Sequence, residues 1–151
     1  MATVLAPDDV ELLVAAAYLH DVGYEPELAT TQFHPLDGAQ WLAGEGHERL
    51  AGLVAHHSGS KHEAAHRGLD AQLGRYPDED SLLTAALAYC DMTTGPGGES
   101  MTPDERLADV EARHGADSAV ARGLRDAWPE LMEAVAAVEE RLASAGIRQP
   151  M

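Results

Sequence analysis

Cysteine is nearly missing from this 151-residue chain, and the single Cys90 allows no intrachain disulfide, which excludes a disulfide-stapled secreted scaffold. Aromatic residues are scarce at 5%, with one Phe, so the core must be assembled mainly from Ala, Leu and Val, which pack best between closely spaced helices. Basic residues are few as well. Ten Lys and Arg against 26 Asp and Glu leave a formal charge of −16, a field that repels the phosphate backbone of long nucleic acids. A small phosphorylated substrate stays admissible, because a bound divalent metal reverses the sign of its own surroundings. Most of the carboxylates read as a solvated surface. No run approaches the roughly 20 apolar residues that cross a bilayer. The opening stretch 1–9 lacks the basic and apolar regions of a signal peptide. A cytoplasmic chain without a membrane partner is the expectation, folded as one domain over residues 1–151.

Helical periodicity accounts for nearly everything that remains, and no segment alternates convincingly enough for a strand. Pro7-Asp8-Asp9 marks a helix start, after which Val10, Leu12, Leu13, Val14, Ala16, Ala17 and Leu19 run almost all round the helix, as in a buried one. Residues 23–33 read as a loop. Helices are predicted over 35–43, with Leu36, Ala39, Trp41 and Leu42 inward, over 48–57, and over a short polar stretch 61–67. Ser81 is placed to cap a helix over 82–91. The sequence Thr93-Thr94-Gly95-Pro96-Gly97-Gly98 then breaks the chain. Thr102 and Glu105 have capping-box spacing around Pro103, which opens a helix to about His114. A last helix is predicted from Asp117 to about Ser144, with a bend expected near Pro129. Its Leu131, Val135, Val138 and Leu142 suit either core or a dimer seam; core is favoured, and a homo-oligomer stays open. The fold class expected is all-α.

Chemistry-bearing residues gather at helix ends. His20-Asp21 closes the apolar run in Ala17-Tyr18-Leu19-His20-Asp21-Val22-Gly23, where Gly23 lets the backbone turn away. His34 opens the second helix, His56-His57 closes the third, and Asp91 follows the apolar run 85–90. Imidazole nitrogens and carboxylate oxygens without a set of thiolates suit Mn, Fe, Ni, Co or Zn, and argue against a structural zinc cluster. Ordinary roles compete: a helix-terminal histidine bonded to a carbonyl, a capping aspartate, a histidine capping before Pro35. Two points favour ligands. Adjacent helical residues point about 100° apart, so His56 and His57 can reach one ion only where a helix ends, and Ser58-Gly59 supplies that end. An unpaired Asp91 after an apolar run would be costly to bury. Lys61 and Arg67 are the cations expected near such a site, able to neutralise a phosphate, although a surface charge is the commoner role for either. Cys90, Tyr18, Trp41 and Trp128 read as packing residues. His47, His62, His66 and His114 read as solvated, with His62 and His66 sharing a helical face.

The HD string, the later His56-His57 and the distant Asp91 together resemble the HD-domain superfamily of metal-dependent phosphohydrolases, over a span from about Asp8 to about Leu107. The helices over 117–144 carry no signature of that family. The resemblance implies a compact all-α bundle holding one or two divalent transition metals. By that likeness His20, Asp21 and Asp91 hold a first metal, while Asp21 bridges to a second held by His34, His56 and His57. It implies a phosphohydrolase acting on a nucleotide or another small phosphate ester through metal-activated water, with Asp21 and Lys61 as candidate catalytic residues. The family's first histidine lies on a helix preceding the HD pair, and no histidine precedes His20. The first metal is then one protein ligand short. Water or another side chain filling the place, a helix preceding Met1, and an impaired member are the three readings of that gap. A di-iron oxygenase and a non-catalytic binding module built on the same ligands are the alternatives to hydrolysis.

Overall fold

A computed structural model describes residues 4–147 as an all-α fold, with eight α-helices and no strand among the described residues. In chain order they are α1 (Pro7–Leu19), α2 (His34–Gly44), α3 (Glu48–Ala55), α4 (Ser60–Arg67), α5 (Asp70–Leu73), α6 (Leu82–Met92), α7 (Pro103–His114) and α8 (Ala119–Ser144). Single 3₁₀ turns at Val22–Tyr24 and His57–Gly59 follow α1 and α3.

The helix starts follow local chemistry. Ser81 and Thr84 form a reciprocal capping box on α6, and Thr102 and Glu105 form another on α7, with Pro103 at the first position, where its missing N–H costs nothing. Ser118 caps α8 through the Ala121 N–H, placing the start slightly later than the sequence suggested. The α8 helix continues through Pro129 to Ser144. At α1 the cap residue is Ala6 with no side-chain bond, and Asp8 and Asp9 act on the helix dipole from within the first turn.

One core cluster is built from α1, α2, α3, α4 and the first half of α6, around Phe33, Leu42, Leu53, Val54 and Leu87. A second lies where Ala88, Met92 and Val110 meet Leu124, Ala127, Leu131 and Val135 of α8. Leu131, Val135, Val138 and Leu142 are all buried within the chain, so the stripe is core. The α1 helix is less enclosed than its apolar run suggested. Leu13 and Ala16 are buried, whereas Val14 is 51% and Tyr18 85% exposed, because α1 packs on α3 and α6 along one side. Trp41 is also partly exposed.

The α4 and α8 helices cross closely enough that a Cβ on Gly123 would fall 2.6 Å from Glu63 Cα. His62 and His66 each face a carboxylate of α8 across this crossing, Glu130 at 3.1 Å and Asp126 at 2.7 Å. No helix among the described residues is long and apolar enough to cross a membrane.

Candidate metal centre

His20 follows the last turn of α1, and its Nδ1–H donates to the Ala17 carbonyl at 2.9 Å. His57 lies in the turn after α3, and its Nδ1–H donates to the Val54 carbonyl at 2.6 Å. A carbonyl can only accept, so both bonds place the ring proton on Nδ1 and leave Nε2 with its lone pair. Histidine metal ligands are oriented in this way, by a backbone acceptor on the opposite nitrogen.

The two Nε2 atoms turn towards a common point. His20 Nε2 lies 3.5 Å from Asp21 Oδ2 and 3.7 Å from Asp91 Oδ1, and the His20 and His57 ring centres are 5.0 Å apart. His34 Nε2 lies 3.2 Å from Asp21 Oδ1 and 3.3 Å from His57 Nε2. Asp21 thus turns one oxygen towards His20 and the other towards His34, the disposition a bridging carboxylate requires. Ligand atoms of His20, Asp21 and His57 all lie within 4.8 Å of one another. Two donors each about 2.0–2.2 Å from one ion lie at most about 4.4 Å apart, so the donor set fits a divalent metal once these side chains close inward by a few tenths of an ångström.

The backbone that achieves this is unusual in two places. Ser58 has φ 49° and Gly59 φ 70°, so two successive left-handed residues end α3 and start α4. For Ser58 such a conformation is strained, and its hydroxyl donates to Asp91 Oδ2. At the other place, Asp37 is buried to 2% exposure and accepts from Thr30 Oγ1 at 2.9 Å, Thr31 N at 2.9 Å and Thr31 Oγ1 at 2.8 Å. These bonds tie the 30–33 loop to α2 and fix where His34 begins the helix.

Charge completes the picture. Burial works against the ionised form of Asp21, yet the His34 hydrogen bond and the neighbouring His20 and His57 hold its carboxyl well below the usual carboxylate range. Burial opposes ionisation of Asp91 too, and His57, His20, Arg106 and the Ser58 hydroxyl together hold it down. Burial, reinforced by His34 and His20, pushes the His57 imidazole down to about 4. At neutral pH the cluster therefore has anionic carboxylates beside a neutral His57, the protonation states in which these groups bind metals.

The centre opens into a cavity of about 380 Å³. Asp21, His34, His57 and Asp91 line its floor, and Met92, Val110, Val120 and Leu124 form an apolar wall. Tyr24 stacks on His34 at 4.0 Å between ring centres, and burial with Asp21 nearby raises its phenol to about 12, keeping it a donor. The α7 helix presents Arg106 and Arg113 to the same cavity. Arg106 Nη2 donates to Asp91 Oδ1 at 3.0 Å, and its Nε donates to the Asp91 carbonyl at 3.2 Å.

Of the residues singled out from the sequence, His20, Asp21, His34, His57 and Asp91 are brought together here. His56 is not among them: its Nε2–H donates to the Tyr76 carbonyl at 3.0 Å, and the ring lines a different cavity. The reason is the bond that each ring makes, since the neighbouring His57 is held by Val54 while His56 is held by the 74–81 connector. Lys61 also lines that second cavity and pairs with Glu130 at 2.9 Å. Arg67 pairs with Glu63 at 2.7 Å and lies over the Phe33 ring, outside the cavity walls. The sequence marked Ser58 only as part of a helix end and gave no role to Tyr24, Arg106 or Arg113. The α7 pair had a readable signal: Arg106, Val110 and Arg113 recur at helical spacing, so one face carries two cations around an apolar residue.

The model of the HD domain matches residues 1–110, more than half of the chain and the span holding the whole histidine and aspartate cluster. Neither a curated protein nor a solved structure matches. The HD match implies a metal-dependent, hydrolase-like superfamily whose domains typically bind divalent metals, and the cluster is a candidate site for one. On this match the chain belongs to the HD-domain family.

Proposed function

We propose that the chain is a metal-dependent phosphohydrolase that acts on a nucleotide or another small phosphate ester. The observation that carries the reading is one cavity lined both by imidazole and carboxylate donors and by Arg106 and Arg113 of α7. His20, Asp21, His34, His57 and Asp91 would hold the metal or metals. A divalent transition metal bound there supplies Lewis acidity towards a phosphoryl oxygen and makes water a nucleophile near neutral pH.

The chain's own residues account for the rest. Arg106 and Arg113 supply positive charge in a strongly acidic chain, and the guanidinium hydrogens not held by Asp91 and Asp109 are left for phosphoryl oxygens. Ser58 and Arg106 fix the orientation of Asp91. Val110, Val120 and Leu124 give an organic leaving group an apolar wall that excludes water, and Tyr24 closes the side next to His34.

The test is phosphate release from a panel of nucleotides and simple phosphate esters by protein loaded with Mn, Co or Ni. Asp21→Asn should lower kcat/KM by about 10²-fold or more. Arg106→Ala should lower it by about 10–100-fold, the value of a charge-assisted hydrogen bond, mainly through KM. Lys61→Ala should leave it unchanged, since Lys61 lies in the other cavity. Metal-loaded protein that turns over none of the panel, or that consumes oxygen when loaded with iron, would overturn the reading.

A further inference from the structure

The ring of His56 poses a separate chemical problem. Its Nε2–H is committed to the Tyr76 carbonyl, so in the neutral ring Nδ1 carries a lone pair. That Nδ1 is buried without a hydrogen-bond partner, on a side chain only 8% exposed. Across 3.8 Å it faces Asp78 Oδ2. A lone pair and a carboxylate oxygen repel each other, and the gap is too long for an N–H···O bond. Two metal–ligand bonds of about 2.0–2.2 Å span it at an open angle.

The surroundings favour a cation. A second cavity of about 630 Å³, sharing Ser58 and Gly59 with the first, is lined by His56, Asp78, Asp80 and Glu133, with Lys61 already paired to Glu130. Asp78 is about half exposed, which gives an ion a route in from solvent. The backbone acceptor on the far nitrogen of His56 is the same device that orients His20 and His57, with the two ring nitrogens exchanged.

We propose that His56 Nδ1 and Asp78 hold a divalent transition-metal ion at a site separate from the His20, Asp21, His34, His57 and Asp91 cluster, with water completing its coordination. Mixed nitrogen and oxygen donors select zinc, nickel, cobalt or manganese over calcium and magnesium. The site ties the connector to the end of α3. Gly52 already permits that approach, since a Cβ there would lie 2.4 Å from the Pro77 carbonyl oxygen. An ion between His56 and Asp78 closes the same contact one residue from His57, and so stiffens the turn that carries it.

The experiment uses the full chain stripped by a chelator and titrated with Zn²⁺ at neutral pH. Long-range ¹H–¹⁵N correlation spectra report each imidazole, and the saturated protein is counted for bound ions. The expected result is that the His56 Nδ1 resonance moves to a zinc-bound position while Nε2 stays protonated. Asp78→Asn should abolish that movement, lower the count by one ion per chain and weaken binding at this site by about 10–100-fold. Asp21→Asn should leave the His56 movement intact, so that this site and the HD cluster are read independently. A His56 ring that is an imidazolium and remains one at zinc saturation would overturn the proposal, as would an unchanged ion count in Asp78→Asn.

Discussion

Gly23 sits two residues after the HD pair, and replacing it with alanine should harm both stability and the candidate metal centre. Its backbone φ is not positive, so the turn itself does not demand glycine. What demands it is proximity: a Cβ at Gly23 would lie 2.0 Å from the His34 carbonyl oxygen and 2.7 Å from Gly38 N. The atoms in the way are backbone, so no side chain can rotate aside. Reaching ordinary contact requires the 3₁₀ turn and the start of α2 to part by ~1.4 Å at that oxygen. Overpacking of this kind costs about 1–3 kcal/mol, and alanine recovers about 0.4–1 kcal/mol by restricting the unfolded chain, so a net loss of roughly 1 kcal/mol is expected. For a chain of this size that lowers Tm by roughly 2–4 °C. Parting the two segments also separates Asp21 from His34, now 3.2 Å apart, so Mn²⁺ affinity should fall by about tenfold. Gly44→Ala is the internal control. It ends α2, the helix that Gly23 approaches, has nothing within 4 Å of its Cβ position, and should gain about 0.4–1 kcal/mol. Urea unfolding and calorimetric metal titration of the two variants decide the matter. If Gly23→Ala melts with the parent and binds Mn²⁺ equally well, the close approach is not what fixes this glycine.

Two further outcomes follow from the buried polar groups. Asp37→Ala should destabilise the chain by about 3 kcal/mol in urea unfolding, since it leaves the Thr31 N–H and two hydroxyls without their charged acceptor, while Asp37→Asn, which keeps an amide oxygen, should lose less. For the metal-free chain, His57 titrates near 6.5 when unfolded and near 4 when folded, so between those values the unfolded state binds the extra proton. Stability should therefore rise with pH across that window, by up to about 1.4 kcal/mol per pH unit from this residue, and stop rising on its account above 6.5. His57→Gln should flatten that segment of the stability curve; an unaltered slope would show that the ring is not held neutral by the fold.

The parts of this molecule that were legible in the sequence are those decided within a few residues. The boxes at Ser81 and Thr102 are local hydrogen-bond exchanges, and the apolar stripe of α8 is a repeat along one helix, so both could be read without knowing the partners. The exposure of Val14 and Tyr18 could not, because an apolar helix reports what it could bury and not whether a neighbour arrives to cover it. Gly23 read as the residue that lets the backbone turn away and is a point of contact between two segments. Asp37 lies in the first turn of α2, yet its partners are Thr30 and Thr31, in the loop folded back over it, a contact no local pattern announces. The divergence of His56 and His57 is the clearest case. Ser58-Gly59 does end the helix as the sequence indicated, but the destination of each ring depends on a carbonyl, and the one that holds His56 belongs to Tyr76, 20 residues away.

Charge balance connects the site to the acidic composition of the chain. With Asp21 and Asp91 ionised and His57 neutral, the floor of the cavity is anionic, and Arg106 spends its donors on Asp91. A phosphate approaching that floor meets two carboxylates first. A dication would offset those two charges, after which Arg106 and Arg113, which share Asp109, would leave the seat net positive and complementary to the phosphate proposed as substrate. The −16 background would then repel extended polyanions at a distance while the local sign inside one cavity favours a small one. Under the proposed function, phosphate affinity and metal occupancy would be one linked property of the site, and a cation that enhances phosphate binding must itself bind more tightly in the presence of phosphate by the same factor.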